Sequence, residues 1–186
     1  MQWTIPGTVL KEPIEDAGLV ENKFSSMFLA GGIVLSQVAQ LTGLEPHTVQ
    51  NWVKRGYLAP PVKKRYSLRQ LCRIININTL KSILPLEDIC NLLTYVNGEL
   101  DDESDDLIDD SALYFLFLRL AATYRLAQNR DNYEACLDQA LQDYREPVPG
   151  AKERVKNVLR VMLTAWAAAR LRQKAESLMQ TLKVKE

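Results

Sequence analysis

With 186 residues, 47% apolar and 25% charged, the chain has the make-up of a globular protein with a sizeable core, and its 23 basic and 23 acidic residues sum to no net charge. No stretch approaches the roughly 18 to 20 uninterrupted apolar residues of a membrane span, and the amino terminus lacks the basic-then-apolar layout of a secretion signal, so a cytoplasmic protein is expected. Cys72, Cys90 and Cys136 lie far apart with no CxxC pair, which argues against a disulfide framework and for reduced core residues.

Residues 1–34 read as a lead-in arm: Pro6, Gly7 and Pro13 break its start, a short helix is expected across 19–29, and Gly31-Gly32 closes it. Ser36 is expected to cap a helix carrying Val38, Ala39 and Leu41, which stops at Gly43. Glu45-Pro46 opens the next, because proline suits a first helical position, and this helix runs to about Arg55 and Gly56. At about 100° per residue, Val49, Trp52 and Val53 fall on one side and His47, Gln50, Asn51 and Lys54 on the other. "LAPPVKKRY" cannot be helical, since consecutive prolines remove donors and extend the preceding residues; it is expected as a short basic loop or strand.

Ser67 with Gln70 forms a capping box that opens a helix from Leu68 to about Leu84. Pro85 begins another, with Leu86, Ile89, Cys90, Leu92 and Leu93 inward and Asn97-Gly98 as terminator. After an acidic run over 99–110, "SALYFLFLRLAATYRLA" is apolar almost all round and reads as a buried central helix. Further helices are expected over about 131–145 and 151–182. The fold class is therefore expected to be all-α with at most a small β wing, divided into an arm (1–34), a central helical unit (35–98) expected from the charge and motifs below to be DNA-binding, an acidic linker (99–110) and a helical dimerisation or effector region (111–186).

The zero net charge hides an uneven layout. From Pro46 to Leu86 there are eight Lys or Arg and no acid, and 99–110 carries eight acids and no base. A local basic field attracts a polyanion whatever the total. Two short helices joined by Gly43-Leu44-Glu45 suit a helix-turn-helix, in which the second helix enters the major groove. His47, Gln50, Asn51 and Lys54 would present donors and acceptors to base edges. Lys54, Arg55, Lys63, Lys64 and Arg65 would position the phosphates. The plainer alternative is that the same polar face is only a solvated helix surface.

"LSQVAQLTGLEPHTVQNWVKRGYLAPP" followed by "RYSLRQLCRIININTLKSILPLEDICNLL" resembles the DNA-binding domain of the MerR family of transcriptional regulators over about 60 residues, Leu35 to Leu93. More closely, "LSQVAQLTG", "VQNWVKRG", "RIININ" and "YVNGELDDESDDLIDD" are similar to a bacterial family known only as a MerR-like domain of unknown function. The resemblance implies that His47 and Gln50 stand where such proteins often direct arginines to DNA. Thr48 falls on their threonine, Trp52 on a tyrosine of the same helix, Lys64 on the wing arginine and Tyr66 on the wing tyrosine. The wing here is several residues shorter and lacks its usual glycine and first aromatic. The carboxyl-terminal part is unlike a single antiparallel coiled coil, so the sensing of metals or drugs is not carried over.

His47 is the sole histidine, which rules out a histidine-based metal or catalytic cluster within one chain. The acidic run lacks the spacing of a calcium loop and is expected as a solvated linker and helix start, or as a strip that folds over the basic face. "DNYEACLDQALQDY" is faintly similar to one helix of a tetratricopeptide repeat, but a lone copy makes no solenoid. No nucleophile elbow, phosphate-binding glycine loop or paired carboxylates point to an enzyme, and no cofactor is expected. The expected partners are double-stranded DNA, a second copy of the chain through the C-terminal helices, and an effector of unknown kind. The competing expectation is a helical adaptor whose polar face binds a protein.

Overall fold

The structure is a computed structural model that describes residues 2–100, 102, 104–126 and 133–183. Strand β1 (Gln2–Thr4) pairs antiparallel with β2 (Lys11–Pro13), and alternation buries Trp3 between exposed Gln2 and Thr4. A 3₁₀ turn at Ile14–Asp16 leads into α1 (Ala17–Met27), whose Ala17, Val20 and Phe24 share one buried face. The arm expected over 1–34 is thus corrected. Ile5 and Ile14 are buried, the Tyr114 hydroxyl donates to the Pro6 carbonyl at 3.0 Å, and Phe24 stacks on Tyr114 at 6.2 Å. These residues belong to the core because they supply large apolar side chains to it.

Strand β3 (Ile33–Val34) then pairs with β4 (Arg65–Tyr66). Between them lie α2 (Leu35–Thr42) and α3 (Pro46–Lys54). The cap of α2 is two residues earlier than expected: the Val34 N–H donates to Gln37 Oε1 at 2.9 Å, and Ser36 lies inside the helix. The expected capping box at the start of α4 (Leu68–Leu80) is present, with Gln70 N–H donating to Ser67 Oγ at 3.2 Å and Ser67 N–H to Gln70 Oε1 at 2.9 Å. Every residue from Leu71 to Ile77 is buried, so α4 is as central as α6 (Asp110–Leu126), against which it packs.

Helix α5 (Leu86–Asn97) buries Ile89, Cys90, Leu93 and Val96. The helix expected over 131–145 is α7 over Tyr133–Ala140, and 131–132 lie outside the described residues. Helix α8 (Ala151–Lys183) buries residues as far as Ala169 and is exposed from Arg170 to Leu182. One apolar core runs from Trp3 to Trp166 and takes side chains from the hairpin, α1 and all the later helices, so it crosses every boundary expected from the sequence. Cys72, Cys90 and Cys136 are buried in it as free thiols, and burial pushes the Cys72 thiol well above its ordinary range. Among the described residues no helix is long and apolar enough to cross a membrane, and no His, Cys, Asp and Glu cluster could hold a metal ion.

The acidic linker is the second correction. Asp101 and Glu103 lie outside the described residues, but Asp106 meets Arg69 at 2.7 Å and the buried Asp110 meets the buried Arg73 at 3.3 Å. The segment is further tied down by Asn97, which donates to the Ile108 carbonyl, and by Tyr144, whose hydroxyl donates to the Leu107 carbonyl at 2.6 Å. Asp109 does what an acid at a helix start is expected to do: its Oδ1 accepts from the Ser111 and Ala112 N–H groups at 2.8 and 3.1 Å.

Candidate nucleic-acid interface

The turn between α2 and α3 is set by three residues. Gly43 takes φ of +70°, a conformation that costs glycine little, and its N–H donates to the Ala39 carbonyl at 2.8 Å. Leu44 is buried and pins the turn to the core, while Glu45 precedes Pro46 at the first helical position. Helix α3 then buries Val49 and Trp52, leaving His47, Gln50, Asn51 and Lys54 exposed and Thr48 half-buried. The face expected to be outward is outward, because the opposite side carries the apolar residues that must be covered.

After α3, Gly56 turns the chain and the Tyr57 N–H donates back to the Trp52 carbonyl at 2.9 Å. The Arg55 guanidinium lies 4.8 Å from the centre of the Tyr57 ring and donates to its hydroxyl at 2.9 Å. Gln70 Nε2 donates to both Ala59 and Pro60 carbonyls at 3.0 Å, so the capping residue of α4 also anchors the proline loop. That loop ends in a tight turn. Val62 and Arg65 bridge, the Arg65 N–H donates to the Val62 carbonyl at 2.9 Å, and the two central residues are Lys63 and Lys64 with φ of 49° and 63°. Positive φ at both central positions is the type I′ arrangement, which normally selects Asn-Gly. Two lysines pay about 1 kcal/mol or more each to stand there.

Lys63, Lys64 and Arg65 are exposed, and Arg65 also donates to the Gly32 carbonyl at 2.8 Å. Gly32 is required at that contact: a Cβ would lie 2.7 Å from the Tyr66 carbonyl oxygen. Tyr66 departs from the expectation. It is 3% exposed and packs in the core, so it holds the strand and offers no surface for a ligand.

None of Lys54, Arg55, Lys63, Lys64 and Arg65 is ion-paired with a described acid. Arg69 and Arg73, from the same acid-free stretch, are instead engaged with Asp106 and Asp110. Arg73 Nε also donates to the Tyr57 carbonyl at 2.9 Å, which ties the loop after α3 to the start of α6. These two pairs answer in part to the second expectation for the acidic run, a strip over the basic face: Asp106 and Asp110 cover Arg69 and Arg73. Which bases the acids meet is what sequence reasoning missed, and its signal was the equality of the basic and acidic blocks.

A model of the family described as "Domain of unknown function (DUF1836)" matches residues 19–117. The chain belongs to this family. The match begins in α1 and ends within α6, so it takes in α2, the turn, α3, the Lys63-Lys64 turn and the two Arg–Asp pairs. An uncharacterized protein, YkrK, of Bacillus subtilis (strain 168) is 34% identical over 86 residues, which cover 44% of this chain and 37% of that relative. The chain thus spans well under half the length of the curated relative it matches. No solved structure matches.

Proposed function

We propose that the protein binds double-stranded DNA with sequence preference, as a MerR-like winged helix-turn-helix regulator acting as a homodimer. In this reading α3 enters the major groove, with His47, Gln50 and Asn51 toward base edges. Lys54, Arg55, Lys63, Lys64 and Arg65 contact phosphates, and the Lys63-Lys64 turn is a short wing. The observation that carries the reading is this set of five cations beside an outward polar helix face, two of them held at the cost of left-handed backbone. A solvated surface has no need for that strain.

The dimer is supported by α8. Val161, Thr164, Ala168, Leu171, Ala175, Leu178 and Leu182 alternate by three and four residues along the helix, the spacing of a coiled-coil seam. Val161, Leu171, Leu178 and Leu182 are 39–65% exposed. A second copy supplies a matching stripe and doubles the contacts that one short recognition helix can make.

The test is retention of duplexes selected from a random pool, followed by gel shifts on variants. With these five phosphate contacts in each protomer, about ten per dimer, affinity falls by about 10³ or more between about 50 and 200 mM salt. Gln50→Ala relaxes base preference, whereas Lys64→Ala weakens all sequences alike. A flat salt response, or variants that retain duplex unchanged while losing a protein partner, would favour the adaptor and sink the DNA reading.

A further inference from the structure

The polar face of α3 recurs every three to four residues, at His47, Gln50, Asn51 and Lys54, and at about 1.5 Å per residue it spans about 10 Å, close to three base-pair steps. A recognition helix brings its early residues to base edges and leaves its last turn near the backbone. That order assigns His47, Gln50 and Asn51 to bases, and Lys54 and Arg55 to phosphates. The side-chain amides of Gln50 and Asn51 are exposed and form no hydrogen bond with another described residue. Each keeps a carbonyl acceptor and an NH₂ donor for a ligand.

The four arginines of the acid-free stretch are placed otherwise. Arg55 lies over the Tyr57 ring, 4.8 Å from its centre, and donates to the Tyr57 hydroxyl at 2.9 Å. Arg65 donates to the Gly32 carbonyl at 2.8 Å. Arg69 faces Asp106, and Arg73 faces Asp110 and the Tyr57 carbonyl. From these places Arg55 and Arg65 can still meet a phosphate, which a single N–H satisfies. Reading guanine with arginine takes a planar fork aimed at O6 and N7, and each guanidinium would have to turn away from a partner inside the protein to supply one. The short wing adds Lys63 and Lys64, whose ammonium groups are point charges suited to phosphate.

Adenine presents N7 as an acceptor and its N6 amino group as a donor in the major groove, a pattern that the amide of glutamine or asparagine matches with two bonds. N7 is common to both purines, so a histidine donating to it does not separate them. We propose that each half-site holds two neighbouring A·T pairs whose adenines are read by Gln50 and Asn51. The proposal rests on the DNA binding proposed above and adds to it the base that the face selects.

The full chain is used to retain duplexes from a random pool, and the enriched duplex is remade with 7-deazaadenine at each selected adenine in turn, a base that pairs as adenine does and lacks only the N7 acceptor. The pool is expected to enrich adjacent A·T pairs, and each replacement to weaken binding about tenfold, as loss of half a bidentate contact gives. Gln50→Ala should be indifferent to 7-deazaadenine at one of the two positions and sensitive at the other, and Asn51→Ala should show the converse. Gln50→Arg, which supplies a free fork, should change its own position from A·T to G·C in a second selection. Both residues are exposed, so the melts of these variants should match that of the parent chain. Enrichment of G·C at these positions, or 7-deazaadenine that leaves binding by the parent chain unchanged, overturns adenine reading and leaves DNA binding standing. Retention that falls steeply with salt but enriches no sequence overturns adenine reading together with sequence preference. A chain that retains no duplex even at low salt sinks DNA binding itself, and adenine reading with it.

Discussion

Lys63 and Lys64 hold the left-handed region at φ of 49° and 63°, which disfavours most side chains but suits glycine, which has no Cβ, and asparagine, whose short amide bonds locally. Replacing them by the residues the turn prefers should separate stability from binding. Lys63→Asn with Lys64→Gly is expected to stabilise the fold by about 1 kcal/mol, read by chemical denaturation. The same change is expected to weaken DNA retention by about tenfold or more, since two phosphate contacts are lost per protomer. A double variant that gains no stability would mean that the lysines bear no strain. One that gains stability and keeps its DNA affinity would remove the turn from the interface.

At the scale of elements, the two Arg–Asp pairs clip the segment before α6 onto α4. Arg73 and Asp110 are nearly sealed from water, with side chains 4% and 2% exposed, and each charge is tolerable there because the other is present. Arg73→Met strands Asp110 and is expected to cost about 3–5 kcal/mol, whereas the double variant Arg73→Met with Asp110→Leu should recover most of it. The Asp106 pair is more accessible, and burial there outweighs the attraction of Arg69, so its carboxyl is raised to about 6. An acid that binds its proton more tightly when folded takes up a proton on folding between its unfolded and folded values. The Asp106 contribution therefore makes the protein more stable as pH falls from about 6 toward 4, and the rise is complete below the unfolded value. Asp110 shifts in the same direction for the same first cause, burial. Melting temperatures of Asp106→Asn taken through this window should lack that part of the slope. An unchanged slope would place the titration elsewhere.

For the whole molecule, the core that joins Trp3 to Trp166 makes the amino-terminal hairpin part of one folding unit. Removing residues 1–13 deletes buried Trp3 and Ile5, at about 1.5–3 kcal/mol each, and should lower a single cooperative melt. A truncated chain that melts as before would show that the hairpin is dispensable to the core. The exposed stripe on α8 makes the opposite kind of claim, about what lies outside the chain. Leu171→Glu with Leu178→Glu, both over half exposed, should leave the melt of the monomer within about 0.5 kcal/mol and abolish the dimer in sedimentation. DNA affinity should fall with it, because half-site contacts no longer add.

Local physics was legible in the sequence wherever a residue acts on its own neighbours. Pro46, Gly43 and the Ser67–Gln70 box mark helix ends through backbone geometry and orphan hydrogen bonds, and the spacing of Val49 and Trp52 told which side of α3 would be covered. The outward placement of His47, Gln50, Asn51 and Lys54 followed from that side being apolar. What the sequence could not disclose was pairing between distant segments. Short strands such as β1 and β3 carry too few alternating positions to signal themselves, and burial of Tyr66 depends on what β4 is laid against. The acidic run read as solvated charge or as a strip over the basic face, and only tertiary contact set Asp106 and Asp110 against Arg69 and Arg73. Composition and periodicity thus determined a helical protein with one polar helix face beside a basic turn. The chain's return on itself decided which charges neutralise each other and which remain on the surface, because Coulomb energy depends on distance in space and burial, neither of which is a property of sequence separation.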